Sequence, residues 1–239
     1  MYILAIETTG AFASVALMQD DKVLGHIQGG DRFSHLQNLM PQIDKVTKDN
    51  KLSINDIEVI AVSHGPGSFT GIRIGVATAR ALSQILNIPC VEVSSLEALT
   101  LRSCKENVAG KLICPILDAR RSQVYGGGYY INDGELEETV KAGPYTIDEF
   151  MEAVSNFDDV LFMGDGIDTC GEKILAAREN GVEFCDETIR YQDAVTVAQL
   201  GAKLLAAGKG KEYNDVQPEY MRIAEAERKL KEQQAQEKK

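Results

Sequence analysis

The stretch His64-Gly65-Pro66-Gly67-Ser68-Phe69-Thr70-Gly71-Ile72-Arg73 holds the densest set of residues suited to chemistry in the chain. Its glycines remove Cβ atoms where a backbone must turn sharply or approach a ligand, and Pro66 limits the turn's freedom. Ser68 and Thr70 can cap a following helix, whose first amide N–H groups suit an anion. Gly65, Gly67 and Ser68 are therefore candidates for anion or nucleotide contact. The plain alternative is a corner that only turns the chain, its helix end satisfied by side chains or water. No Lys-Ser or Lys-Thr follows the last glycine, so this is no Walker A loop, and the dinucleotide fingerprint is also missing. Pro66 and Thr70 stand where a nucleophile elbow needs glycine, which argues against a serine hydrolase.

Metal chemistry finds little support. His26, His35 and His64 are far apart, with no HxxxH or HExxH pair, so each reads as a surface or structural histidine. The five cysteines, Cys90, Cys104, Cys114, Cys170 and Cys185, never stand in a CxxC pair and read as reduced thiols of a cytosolic protein. A formal net charge of −11 argues against strong nucleic-acid binding by this chain alone, because phosphate neutralisation needs clustered Lys and Arg. At 239 residues and 44% apolar composition the chain has material for a globular core. No apolar run approaches the ~20 residues that span a bilayer, and Met1–Ile6 reads as a strand rather than a leader.

The elements that would position these residues follow in order. Tyr2–Glu7, Ser14–Gln19 and Lys22–Gln28 read as a three-stranded meander. Phe33 to about Lys48 has helical spacing, with Ser34 a candidate N-cap. Pro41 lies inside it and costs about 3 kcal/mol in a helix interior, so a kink or break is expected there. Strand Ile57–Ser63, the glycine corner, helix Gly71–Leu86, a strand at Pro89–Val93 and a helix from Ser95 complete a βββαβαβα order. Strands at Leu112–Asp118, Gln123–Ile131 and Glu135–Val140 begin a weaker echo. A helix at Thr146–Val154, a strand at Val160–Met163 and helices at Thr169–Arg178 and Thr196–Ala207 follow. The expected division is 1–103, 104–221 and a charged tail, 222–239, helical or disordered.

The βββαβαβα order resembles the unit that the actin, Hsp70 and sugar-kinase superfamily uses twice, so the expected fold is α/β, an actin-like, ribonuclease H-like two-domain architecture with mixed sheets. More narrowly, GPGSFTGIR resembles the signature of the TsaB family, the bacterial partner proteins in threonylcarbamoyladenosine tRNA modification. Glu7-Thr8-Thr9, His35 with Leu39-Met40-Pro41, Asp118-Ala119-Arg120 followed by Val124-Tyr125, and Pro218-Glu219-Tyr220-Met221-Arg222 extend the resemblance over nearly the whole chain. Gln123 departs from the Glu often found before Val-Tyr.

What the resemblance implies is a non-catalytic subunit that binds and supports TsaD, which transfers threonylcarbamoyl from its adenylate to adenosine in tRNAs reading codons that begin with A. TsaE, an ATPase, would join the complex, and tRNA would be held through it. TsaD carries an HxxxH metal motif. The matching segment here, Ser94–Leu99, has Ser95 and Leu99 at the histidine positions, so neither metal nor cofactor is expected. In the superfamily the first hairpin meets nucleotide phosphates. That makes Glu7, Thr8, Thr9 and Ser14 candidates, with Asp118 and Arg120 as their counterparts across the cleft. The plain alternatives are a strand-end carboxylate and an Asp118–Arg120 salt bridge.

The partner face is read from two helices. Gly75, Ala77, Thr78, Ala79 and Ala81 let another helix approach closely. Leu36, Leu39, Met40 and Ile43 beside Ile72, Val76 and Ala79 exceed the apolar surface that one sheet face needs. Leu36, Leu39, Met40, Ile43, Arg73, Val76, Ala77 and Arg80 are the expected partner residues. Two other readings stay open: a small-molecule kinase or ATPase of the same fold, and a homodimeric binding module using the same helices.

Overall fold

The computed structural model describes residues 1–30, 34–105, 108–178 and 180–222. The expected tail from 223 onward, and Phe33 at the start of the first helix, lie outside them.

The first sheet comprises β1 (Tyr2–Glu7), β2 (Ser14–Gln19), β3 (Lys22–Gln28), β4 (Val59–Gly65) and β5 (Cys90–Ser94). Its order is β3-β2-β1-β4-β5, with antiparallel hairpins on one side and parallel strands on the other. Alternation explains its two cores. Leu4, Ile6, Val15, Leu17, Ile60 and Val62 face helices α1 (His35–Asp49) and α2 (Phe69–Leu86). Ile3, Ala5, Ala16, Val59, Ala61 and Val91 face α3 (Ser95–Arg102) and α6 (Ala194–Ala206). A strand covered on both faces reads as a continuous apolar run, which is how β1 and β4 appear in the sequence. Small residues let α6 lie close: a Cβ on Gly201 would stand 2.6 Å from the Ala61 methyl.

The second sheet repeats the topology. β6 (Leu112–Asp118), β7 (Gln123–Asn132), β8 (Glu135–Thr146), β9 (Val160–Met163) and β10 (Val182–Phe184) are ordered β10-β9-β6-β7-β8, again with two antiparallel and two parallel pairings. The echo is degraded in its helices rather than its sheet. Helix α4 (Ile147–Ala153) has 7 residues where α1 has 15, and α5 (Gly166–Ala177) has 12 where α2 has 18. Chain order does not separate the two cores, because α6 returns to the first sheet after the second is complete. Helix α3 serves both cores, with Leu96 and Leu99 in the second and Ala98 in the first.

The structure refines two local expectations. Helix α1 runs through Pro41 without a break. The carbonyl that Pro41 leaves without an intrahelical donor belongs to Gln37, and both residues are exposed, so water can take the bond. Ser34 stands at the N-cap position, but its side chain makes no capping bond.

Candidate functional site

The glycine corner is a packing device first. Gly65 and Gly67 have φ of +132° and +151°, a region that favours glycine. A Cβ on Gly67 would lie 2.4 Å from the Thr9 carbonyl oxygen, and one on Gly71 only 1.9 Å from that of Thr8. The missing side chains let the β1–β2 turn sit directly on the start of α2. The Ser68 amide donates to Thr9 O at 2.8 Å, and the Thr8 hydroxyl donates to Gly71 O at 2.7 Å. Ser68 also caps α2, its Oγ accepting from the Gly71 amide at 3.3 Å.

Glu7, Thr8 and Gly65 stand behind this wall and do not line the cleft beyond it. Glu7 is fully buried, and its Oε1 accepts from the Thr9 hydroxyl at 2.6 Å. Burial raises its pKa above the ordinary carboxylate value, against the opposing hydrogen bonds of Thr9, Ser63 and Gly10. Ser14 is buried too, accepting from the Ala194 amide at 3.1 Å and meeting His26 at 3.0 Å.

The cleft lies between the two sheets and measures about 400 Å³. One wall is Thr9–Ala11 and Gly67–Phe69; the other is Leu117–Arg121 with Tyr125, Asp165, Asp168 and Thr169, and Gln192 and Arg222 complete the lining. Gly67, Ser68, Asp118 and Arg120 are thus brought together from the two halves. Asp118 also makes the salt bridge that is its plain alternative. Its Oδ1 accepts from the Arg120 amide at 2.8 Å, and its Oδ2 is 3.5 Å from the Arg120 guanidinium. Arg120, Arg121 and Ser122 have φ of +66°, +57° and +58°, three consecutive left-handed non-glycine residues that each carry a conformational cost. They aim the β6–β7 turn at the cleft.

Gln192 carries no motif and was not legible in the sequence. It is 2% exposed, lines the cleft, and its Oε1 has no hydrogen-bond partner among the described residues. A buried orphan acceptor costs about 1–3 kcal/mol unless something meets it. Arg222 was legible only as part of a family string. Its guanidinium donates to Ala119 O at 2.5 Å and joins the segment that follows α6 to the β6–β7 turn. Among the described residues no three His, Cys, Asp or Glu side chains gather in a way that could hold a metal ion.

The histidines serve structure. His35 is buried, with Nε2 3.0 Å from Gly10 O, and burial lowers its pKa. His26 lies beside Asp193 at 3.4 Å, and His64 meets Gln217 O at 3.1 Å. Cys90 is buried and its thiol is pushed up to about 12, which keeps it protonated.

The second candidate region is the outer face of α1 and α2. Leu36 is 77% exposed, Met40 50% and Ile85 78%, an unusual set of large apolar side chains facing water on neighbouring helices. On α2, Arg73 and Ala77 are also exposed and Arg80 is half-buried. Leu39, Ile43 and Val76 point the other way, buried in the core against the first sheet. These three are therefore occupied within the domain.

Comparisons with known proteins agree with this geometry. A family model described as TsaD, tRNA N6-adenosine threonylcarbamoyltransferase, matches residues 32–230. The tRNA threonylcarbamoyladenosine biosynthesis protein TsaB of Bacillus subtilis is 36% identical over 233 residues, covering 96% of this chain and 97% of the relative. The TsaB protein of Escherichia coli is 29% identical over 235 residues, covering 96% and 98%. The crystal structure of YeaZ from Pseudomonas aeruginosa superposes with a TM-score of 0.79 at 24% identity, covering 92% of this chain and 99% of that one, and shows the same fold. Sequence and two-sheet topology converge: the chain belongs to this family, on its TsaB (YeaZ) branch.

Proposed function

We propose that this protein is a non-catalytic subunit of the assembly that makes N6-threonylcarbamoyladenosine in tRNA, and that it binds a TsaD-like catalytic subunit through the outer face of α1 and α2. The observation that carries this reading is the exposure of Leu36, Met40 and Ile85 on two neighbouring helices of a TsaB-family chain. Such a surface is costly in water and is offset when a partner covers it. Ala77 and Ala81, exposed on α2, leave room for a second helix at close range. Ser95 and Leu99 are both buried where TsaD carries metal-binding histidines, which supports leaving the chemistry to the partner. A net charge of −11 supports RNA contact through the complex rather than through this chain. A TsaE-like ATPase completes the set.

The test is incorporation of labelled threonine into unmodified tRNA with ATP, bicarbonate, the adenylate-forming TsaC protein, TsaD and TsaE, with and without this chain. Incorporation that needs both TsaD and this chain supports the reading. Full incorporation without the chain overturns it.

A second reading rests on the cleft. Gln192 Oε1 is buried without a partner among the described residues, and Ser68, Asp118 and Arg120 line the same space. A nucleotide, whose amino and hydroxyl groups donate to Gln192 Oε1 and whose phosphates face Ser68 and Arg120, would suit these groups, and an actin-like kinase or ATPase would then act on its own. ATP binding and turnover by the isolated chain would favour it, whereas a protein that neither binds nor hydrolyses ATP would not be such an enzyme. Self-association through α1 and α2 that survives addition of TsaD would instead mark a homodimeric module.

A further inference from the structure

The last described segment, Gln217–Arg222, lies across the glycine corner as a strap. The Gln217 amide donates to Glu92 Oε1 at 2.5 Å, and the Glu219 amide donates to His64 O at 2.8 Å. A Cβ on Gly65 would lie 2.3 Å from the Glu219 carbonyl oxygen, so the corner is shaped to receive the strap. Tyr220 then stacks on Phe69, the first residue of α2, with ring centroids 4.9 Å apart and planes within 10°. Its hydroxyl accepts from Arg73 Nε at 3.0 Å. Arg73 is exposed one helical turn before Ala77, so this pair closes one end of the α2 outer face. Tyr220 itself is still 38% exposed.

We propose that Tyr220, held by Phe69 and Arg73, forms part of the surface that grips the TsaD-like subunit, extending the contact from two helices to the strap. This rests on the partner reading above. The physical reason is preorganisation. A tyrosine already stacked and hydrogen-bonded presents a rigid, amphipathic ring, so little side-chain freedom remains to be lost on docking. Tyrosine and arginine are also the residue types that carry most binding energy at interfaces. The same Phe69 lines the cleft, so the strap sits where the helix face and the cleft mouth meet.

The experiment is calorimetric titration of the full chain with purified TsaD, comparing wild type with Tyr220→Ala, Tyr220→Phe, Arg73→Ala and the Tyr220→Ala/Arg73→Ala double variant. Tyr220→Ala is expected to weaken binding about tenfold or more. Tyr220→Phe, which keeps the stack and loses the hydroxyl, is expected to weaken it less. The double variant should lose less than the product of the single losses, because the two residues act as one pair. If Tyr220→Ala lowers the melting temperature, Tyr220→Phe and amide-exchange protection of peptide 217–222 on adding TsaD decide instead. Wild-type affinity in the Tyr220 variants, or no change in protection, overturns the proposal when Ala77→Arg still abolishes binding. Unchanged binding by a folded Ala77→Arg variant overturns the helix-face reading itself, and the strap proposal with it.

Discussion

The Glu7 carboxylate is turned back onto Thr9: its Oε1 accepts from the Thr9 amide at 2.5 Å and from the Thr9 hydroxyl at 2.6 Å. The carboxylate therefore ties the β1–β2 turn together beneath the cleft floor. Burial raises its folded pKa above that of the unfolded chain. Between those two values the folded state binds more protons, so Glu7's contribution to stability falls as pH rises through that window and stays low above it. Glu7→Gln keeps an acceptor for Thr9 without the charge. Its melting temperature relative to wild type should rise between pH 4 and pH 8, measured by thermal unfolding at each pH. A difference that stays flat would mean Glu7 does not titrate in this range.

The contact between Thr8 and Gly71 makes a sharper prediction. Gly71 lies within α2, in ordinary helical backbone, yet a Cβ there would stand 1.9 Å from Thr8 O. Both atoms belong to backbone that the strands and helix hold in place, so Gly71→Ala must separate the hairpin turn from α2. A loss of about 3 kcal/mol or more is expected in urea unfolding. Gly30→Ala is the control, since none of the described residues comes within 4 Å of its Cβ position, and it should be neutral or slightly stabilising. Equal effects from the two substitutions would contradict the packing role of the corner.

These contacts mark what the sequence makes legible and what it hides. The strand-to-helix corner is evident because β-branched residues give way to glycine and then to a 3.6-residue period. That Gly71 is spaced for Thr8 is not evident, because their contact spans 63 positions. Strand β10 has 3 residues and no apolar run of its own, so only its pairing with β9 reveals it. The helical period over 194–206 is plain, but its return to the first sheet is a tertiary fact. At the site, Ser68, Asp118 and Arg120 carried signals of their own or of the family, whereas Gln192 stands in ordinary polar sequence. Leu39, Ile43 and Val76 belong to the apolar stripe from which the partner face is expected, yet the first sheet covers them. Periodicity finds a stripe but does not say how much of it the sheet consumes.

The ion pair Arg102–Asp193 joins α3 to the start of α6. Arg102 NH1 is 2.8 Å from Asp193 Oδ2, with the side chains 6% and 10% exposed, and His26 lies 3.4 Å from the same oxygen. Asp193 Oδ1 accepts from the Val195 amide at 2.7 Å, a cap that asparagine can retain. Asp193→Asn therefore removes mainly the charge that compensates Arg102. A buried cation left unpaired costs about 3–5 kcal/mol, which should appear as a lower urea midpoint. The loss should persist at high salt, because a pair this buried is poorly screened. A loss that vanishes at 1 M salt would place the interaction in solvent.

Leu36 and Leu39 are three residues apart on α1 and have opposite surroundings. Leu39 is 1% exposed against the first sheet, whereas Leu36 is 77% exposed. Leu39→Ala should cost about 2–5 kcal/mol of stability through the cavity it leaves. Leu36→Ala should change stability by about 0.5 kcal/mol or less, as surface substitutions do. In binding to TsaD the order should reverse, with Leu36→Ala weakening the complex because its apolar contact is lost. Ala77→Arg, on the exposed side of α2, should fold with a wild-type melting temperature and lose TsaD binding by about 100-fold or more, since the partner helix would bury an unpaired charge. Thermal and urea unfolding read the stabilities of the three variants, and titration calorimetry with TsaD reads their binding. A folded Ala77→Arg variant that binds TsaD normally would move the interface off this face. Helices α1 and α2 would then expose Leu36, Met40 and Ile85 to no purpose that the fold requires.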